Sequence, residues 1–263
     1  MRGTERLRVV AIIQARMSSS RFPGKMLKII GSLPVLAWTA ERMGLAKTIH
    51  EVIVGTSDQD QDDPIAKLCH DYGIRVFRGA ELDVLDRYYK CASEYNATHV
   101  VRVTGDCPFI DPSIVDDVVT LCLADERVEY ASNHVPMSFP EGMSVEVMPT
   151  KTLEIVWHES VLPSHREHVT PFIRFQPSRF SHANLKSPID LSNIRLTVDY
   201  KDDLLGLDRL AKLLESKGFE MDFALDDVIS ILESEPTIQA LLNPRERDLW
   251  RHQVAREEGG QYA

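Results

Sequence analysis

The sequence predicts an α/β chain: a Rossmann-like, three-layer α/β/α domain with a mostly parallel sheet and a smaller inserted β-containing elaboration. Three observations carry this expectation. Short apolar runs alternate with amphipathic stretches from residue 9 to about residue 125, and strands joined through helices at that rhythm require right-handed crossovers and parallel neighbours. The first apolar run ends in a bent, basic loop, where open α/β sheets bind ligands. Beyond Val128 the rhythm turns irregular before closing on amphipathic helices. With 263 residues, 43% of them apolar and 27% charged, a single domain spanning 1–263 is expected. It divides into a regular half at about 8–125, an elaboration at 126–200 and C-terminal helices at 201–263.

The elements follow in order. Val9 to Ile13 is a buried strand. Ser32-Leu33-Pro34 reads as a helix start, with Val35, Leu36, Thr39, Ala40 and Met43 forming its apolar stripe. Glu51 to Thr56 is a second strand. Asp62-Asp63-Pro64 supplies a cap and an N1 proline to a helix whose apolar face is Ile65, Leu68, Cys69 and Tyr72, and Gly73 ends it. Ile74 to Phe77 is a strand, Leu82 to Tyr95 a helix and Thr98 to Val103 a strand. Asp111-Pro112 then caps a helix that buries Ile114, Val115, Val118, Val119 and Cys122. In the elaboration, Tyr130 to Pro140 reads as loop, Met143 to Met148 as strand and Thr150 to Trp157 as helix, and Pro163 to Phe175 is rich in His and Arg. Arg195 to Val198 is strand-like and ends at Asp199. Asp202 to Lys217 and Asp222 to Glu233 are amphipathic helices, and the charged tail after Pro244 is expected to be peripheral.

Composition narrows the function. The formal charge of −10, from 30 basic and 40 acidic residues, argues against a nucleic-acid partner, which would need an extended basic face. The start of the chain has no long apolar segment and no window resembles a membrane span, so neither a signal peptide nor a membrane partner is expected and a cytoplasmic location is. Cys69, Cys91, Cys107 and Cys122 form no C-x-x-C pair and are expected to be reduced residues of the core or the site lining.

Against this acidic background the stretch Ala11 to Lys25, AIIQARMSSSRFPGK, is a positive pole. No Asp or Glu occurs from Leu7 to Ala40, while Arg8, Arg16, Arg21, Lys25 and Lys28 do. A loop leaving a buried strand, with free backbone N–H groups and fixed cations, suits phosphate. It is not a Walker A loop, because Met26 follows the Gly-Lys pair and Ser19 stands where the first glycine belongs. Two aspartates should face this loop. Val100 to Val103 leads to Asp106 and Arg195 to Val198 to Asp199, and the carboxyl ends of parallel strands open on one crevice. Paired carboxylates beside phosphates make a Mg²⁺ site, because Mg²⁺ takes hard oxygen ligands and keeps substrate phosphates among them.

The segments QARMSSSRFPGK at 14–25, TSDQDQDDPIA at 56–66, RGAELDVLDRYY at 78–89, TGDCPFID at 104–111, FPEGMSVEV at 139–147, EHVTPFI at 167–173 and LTVDYKDDL at 196–204 resemble the cytidylyltransferases that activate acidic sugars, most closely the SpsF-like branch. The resemblance runs in order over about residues 9–215. It implies a nucleotidyltransferase fold, CTP as nucleotide, a small acidic acceptor such as a nonulosonate or a related octulosonate, Mg²⁺ as cofactor and a homodimer. Carried over residue by residue, it implies that Gln14, Ala15, Arg16, Ser19, Arg21, Lys25 and Asp106 bind the nucleotide, Arg16, Arg21 and Lys25 as the cations on its triphosphate, with Lys25, Arg16 and Asp106 catalytic. Thr56, Ser57, Leu85, Asp86 and Arg87 would lie near the cytidine. Asp106 and Asp199 would bind metal, and Glu146, His168 and Arg174 the acceptor. Ser144 stands where the family usually carries Asp. The alternative is a metal-dependent glycosyltransferase using a nucleotide sugar, since Asp58-Gln59-Asp60 and Asp60-Gln61-Asp62 both read D-x-D.

Overall fold

A computed structural model describes residues 6–243, 253, 254, 256 and 257. Strands β1 (Val9–Gln14), β4 (Glu51–Ser57), β5 (Arg75–Gly79) and β6 (His99–Thr104) form the regular part, and β2 (Ile29–Ile30) and β3 (Leu33–Pro34) a separate two-stranded ribbon. The elaboration adds β7 (Tyr130–Ser132), β8 (Glu146–Pro149) and β9 (His182–Asn184) to one edge. The main sheet has seven strands in the order β5-β4-β1-β6-β8-β7-β9. β5, β4, β1 and β6 are parallel; β8 runs antiparallel to both β6 and β7, and β9 lies parallel to β7.

Strand β1 is central and buried on both faces, as its unbroken apolar run requires. Val9, Ala11 and Ile13 join one core with Trp38, Phe109 and Phe223; Val10 and Ile12 join the other with Leu85, Tyr88 and Leu153. The first layer holds α1 (Val35–Gly44), α2 (Asp63–Asp71), α4 (Pro112–Leu123), α8 (Lys201–Ser216) and α9 (Leu225–Ser234); the second holds α3 (Val84–Glu94) and α5 (Thr150–Glu159). Short helices α6 (Pro163–His168), α7 (Pro171–Arg174) and α10 (Pro236–Leu241) complete the described chain. Among the described residues no helix is long and apolar enough to cross a membrane, and the four cysteines are free and buried.

Several elements depart from expectation for local physical reasons. Leu33 and Pro34 pair with Ile30 and Ile29 instead of opening α1, which starts at Val35. Tyr72 lies past the end of α2 and is 40% exposed. Asp62 does not cap α2 with its side chain; its carboxylate accepts from the Ser57 hydroxyl and from the Met17 N–H at 2.7 Å. Tyr130 to Ser132 is strand, because β8 and β9 supply ladder partners on either side. The strand at 143–148 begins only at Glu146. Arg195 to Val198 forms no ladder, since its bonds go to two different segments: Leu196 N–H donates to the Glu141 carbonyl at 2.7 Å and Val198 N–H to the Asp106 carbonyl at 2.9 Å. The tail after Pro244 lies mostly outside the described residues, but Val254 is buried and Gln253 and Arg256 line a cavity together with Lys25 and Asp106, so these are not peripheral.

Candidate active site

The loop after β1 is folded around one carbonyl. Met17 C=O accepts from Ser19 N–H at 2.9 Å and from Gly24 N–H at 3.1 Å, while Met17 N–H is held by Asp62. Gly24 takes φ 70°, a left-handed value that glycine adopts without a Cβ clash, and opens a 3₁₀ turn over Lys25–Leu27. That turn drives Lys25 inward until it is 5% exposed. On the other side β6 ends at Thr104 and the chain turns at Gly105, where a Cβ would come within 2.9 Å of Leu36 and 3.2 Å of the Gln14 carbonyl. This close approach delivers Asp106 opposite the loop.

Asp199 arrives by another route. Thr197 Oγ1 and Val198 N–H both donate to the Asp106 carbonyl, at 3.1 and 2.9 Å, so the segment before Asp199 hangs on the turn that carries Asp106. Lys25 Nζ then lies 2.5 Å from Asp106 Oδ2 and 2.8 Å from Asp199 Oδ1, and Arg21 lies 2.6 Å from the same Asp199 oxygen. Burial alone would raise the Asp199 carboxyl, but Lys25 and Arg21 outweigh it and hold the group well below the usual carboxylate range. Burial alone would lower Lys25, yet Asp106 and Asp199 outweigh that and raise it above 10.5. Lys25 and Asp199 are therefore both charged at neutral pH. Beside it, burial pushes the Cys107 thiol upward, keeping it protonated.

These groups line a cavity of about 630 Å³. Gln14, Arg16, Ser19, Arg21, Lys25, Asp106 and Asp199 lie on its wall, as do Arg102, His134, Ser144, Glu146, His168 and Arg174. Arg16 also pairs with Glu167 of α6 at 3.2 Å. Glu146 is 2% exposed and already engaged: it pairs with Arg102, accepts from the Tyr130 hydroxyl at 2.5 Å and has His134 Nε2 at 3.7 Å. Burial would raise its pKa, but Arg102, His134 and Arg174 bring it down to about 2. Its present work is to anchor cavity cations. Burial lowers the His168 imidazole below 6.5, so the ring is mostly neutral at pH 7, not a cation.

The structure does not bring every anticipated residue to this wall. Ala15, Thr56 and Ser57 are buried at strand ends, and Ser57 is tied to Asp62. Leu85 sits in the second core; Asp86 pairs with Lys90 at 2.8 Å and accepts from Trp157 Nε1 at 3.0 Å. Arg87 is 2% exposed and packs under Gly79. The D-x-D residues Asp58 and Asp60 are exposed and off the cavity, and Asp62 is engaged structurally. Among the described residues no group of three or more His, Cys, Asp or Glu side chains converges as a metal site. The Asp106 and Asp199 pair does converge on a positive centre.

The sequence profile of the cytidylyltransferases matches residues 10–216. The chain belongs to the cytidylyltransferase family. The spore coat polysaccharide biosynthesis protein SpsF of Bacillus subtilis is 32% identical to this cytidylyltransferase over 235 residues, covering 87% of this chain and 95% of that protein. A 3-deoxy-manno-octulosonate cytidylyltransferase of Geobacter sulfurreducens is 37% identical over 116 residues, 43% of this chain and 44% of that protein. The solved structure of a cytidylyltransferase from Leptospira borgpetersenii superposes with a TM-score of 0.84 at 32% identity, covering 91% of this chain and 99% of that one. The chain is thus a CTP-dependent nucleotidyltransferase.

In this cytidylyltransferase, sequence reasoning missed Arg102, Glu141 and Arg195, which lie on the cavity wall, and the buried Asp203 behind them. One signal was available: Arg195, Asp199 and Asp203 recur at intervals of four on the approach to and into the first turn of α8. Gln253 and Arg256 had no signal, because they lie beyond every recognised motif.

Proposed function

We propose that this protein transfers CMP from CTP to a small acidic acceptor, in a Mg²⁺-dependent reaction that releases pyrophosphate. The observation that carries the reading is the cluster of Lys25, Arg21, Asp106 and Asp199 on one wall of a cavity that also holds Arg102, His168 and Arg174. An acceptor oxygen attacks the α-phosphorus, the bond to pyrophosphate breaks and a CMP ester forms. Catalysis is mostly positioning and charge stabilisation. Lys25, Arg21 and Arg16 neutralise the triphosphate and the departing pyrophosphate. Gln14 and Ser19 offer hydrogen bonds along the loop.

Two carboxylates with oxygens already aimed at one positive centre fit a hard divalent cation. Asp106 and Asp199 would hold it, and bound Mg²⁺ would supply further neutralisation of the phosphates. On the acceptor side, Arg174 and Arg102 supply positive charge, neutral His168 supplies a hydrogen-bonding ring, and Glu146 keeps the cations in place. An acid of the nonulosonate or octulosonate class suits this lining, in keeping with the acceptor named for the Geobacter relative.

The test is pyrophosphate release from each of the four nucleoside triphosphates, with Mg²⁺ and with chelator, against a panel of 2-keto-3-deoxy sugar acids. Release that requires CTP, Mg²⁺ and one acid supports the reading. Release with another nucleotide, or release unaffected by chelation, refutes it.

A further inference from the structure

Asp199 reaches the cavity without a ladder to hold its backbone, and a carboxylate on such a segment could turn either oxygen forward. Arg195 removes that freedom. Its side chain, 2% exposed, forms an ion pair with Glu141 Oε2 at 2.7 Å and donates to Asp199 Oδ2 at 2.9 Å and to both Asp203 oxygens at 3.1 and 3.2 Å. Asp203 is fully buried and accepts from the N–H groups of Asp199 and Tyr200, each at 2.8 Å. Asp199 is therefore gripped at its amide and at Oδ2, which leaves Oδ1 facing Lys25 and Arg21.

We propose that Arg195, backed by Asp203, is a positioning residue that presents a single oxygen of Asp199 to the cation bound with the triphosphate. The inference rests on the reading of Asp199 as a metal ligand. The planar guanidinium suits the task because its fork engages Asp199 and Asp203 together in fixed directions, which a lysine ammonium cannot do. Glu141 adds a third anchor, and its carbonyl takes the Leu196 N–H, so the arginine and the backbone it steers are locked to the same loop.

The experiment uses Mn²⁺ as the probe, titrated by electron paramagnetic resonance in the presence of CTP, with CTP binding measured separately without metal. Wild type is compared with Arg195→Lys, Asp203→Asn and Asp199→Ala, each checked for an intact unfolding transition. Arg195→Lys should lower Mn²⁺ affinity by about 10–100-fold, the range for residues that orient a metal ligand, while metal-free CTP binding stays within about threefold of wild type. A purely structural role would leave the metal affinity of the folded variant unchanged. Asp203→Asn should show the same split and carries the test if Arg195→Lys does not fold. Loss of Mn²⁺ in Asp199→Ala with wild-type affinity in the folded positioning variants overturns the inference alone. Unchanged affinity in Asp199→Ala, or no Mn²⁺ uptake by wild type with CTP, overturns the metal assignment and this inference with it.

Discussion

Lys25 is the residue on which the basic wall of the cavity turns. It is buried by a turn that Gly24 permits, and it stays charged because Asp106 and Asp199 more than offset its loss of water. Removing such a preorganised charge partner costs about 3 kcal/mol of transition-state stabilisation, roughly a hundredfold in rate. Lys25→Ala and Asp106→Asn should each lose at least that much turnover in a pyrophosphate-release assay while retaining the wild-type circular dichroism spectrum. Near-full turnover in either would remove that residue from the mechanism. Glu146 makes a prediction about stability instead. Its pKa is depressed from 4.5 to about 2, so its contribution is complete above pH 4.5 and is lost as the pH falls toward 2. Denaturant unfolding across that window should show a steeper decline for wild type than for Glu146→Gln. Equal slopes would mean that the Arg102 pair does not persist in solution.

At the scale of elements, the site depends on one loop lying flat against another. Gly142 has φ +98°, and a Cβ there would meet the Leu196 backbone at 2.6 Å. Gly142→Ala combines a conformation that L-residues avoid with a collision against backbone, and backbone cannot rotate away as a side chain can. The variant should push the Leu196–Asp199 segment off Asp106 and reduce turnover at least tenfold, a loss of about 1.4 kcal/mol. Wild-type turnover with unchanged stability would show that the segment tolerates displacement. Asp62 makes the complementary joint, tying the loop after β1 to the end of β4 through Met17 and Ser57. Reading it as a cap for α2 identified the right position and the wrong partner.

For the whole molecule, the sheet acts as a platform whose layers bring distant segments to one edge. Arg42 shows how one helical layer is fastened together: fully buried in α1, it donates to the carbonyls of Ile110, Met221 and Phe223, joining the start of α4 to the segment before α9. Ligand binding to such a framework stabilises the folded state by mass action. CTP with Mg²⁺ at about a hundred times its dissociation constant should add about 2.7 kcal/mol. A thermal unfolding scan should therefore shift upward with CTP and Mg²⁺ together, and by much less in Asp199→Ala. An equal shift in that variant would place the phosphate-bound cation elsewhere.

The sequence by itself determined the layered α/β architecture, because burial on both faces of β1 and the one-sided stripes of α1, α2 and α4 are written into local periodicity. It also determined the basic wall of the cavity, since Arg16, Arg21, Lys25 and the facing Asp106 lie in motifs a few residues from strand ends. Tertiary structure alone decided how Asp199 arrives. Its segment looks like a strand, but its hydrogen bonds are divided between Asp106 and Glu141, partners that no local pattern specifies. The same holds for Glu146, which by sequence could equally be a strand residue facing water; only its contacts with Arg102, Tyr130 and His134 show it buried among the cavity cations. Periodicity records which side of an element is apolar, whereas the partner of a buried charge is set by residues tens or hundreds of positions away, and only the folded chain brings them within bonding distance.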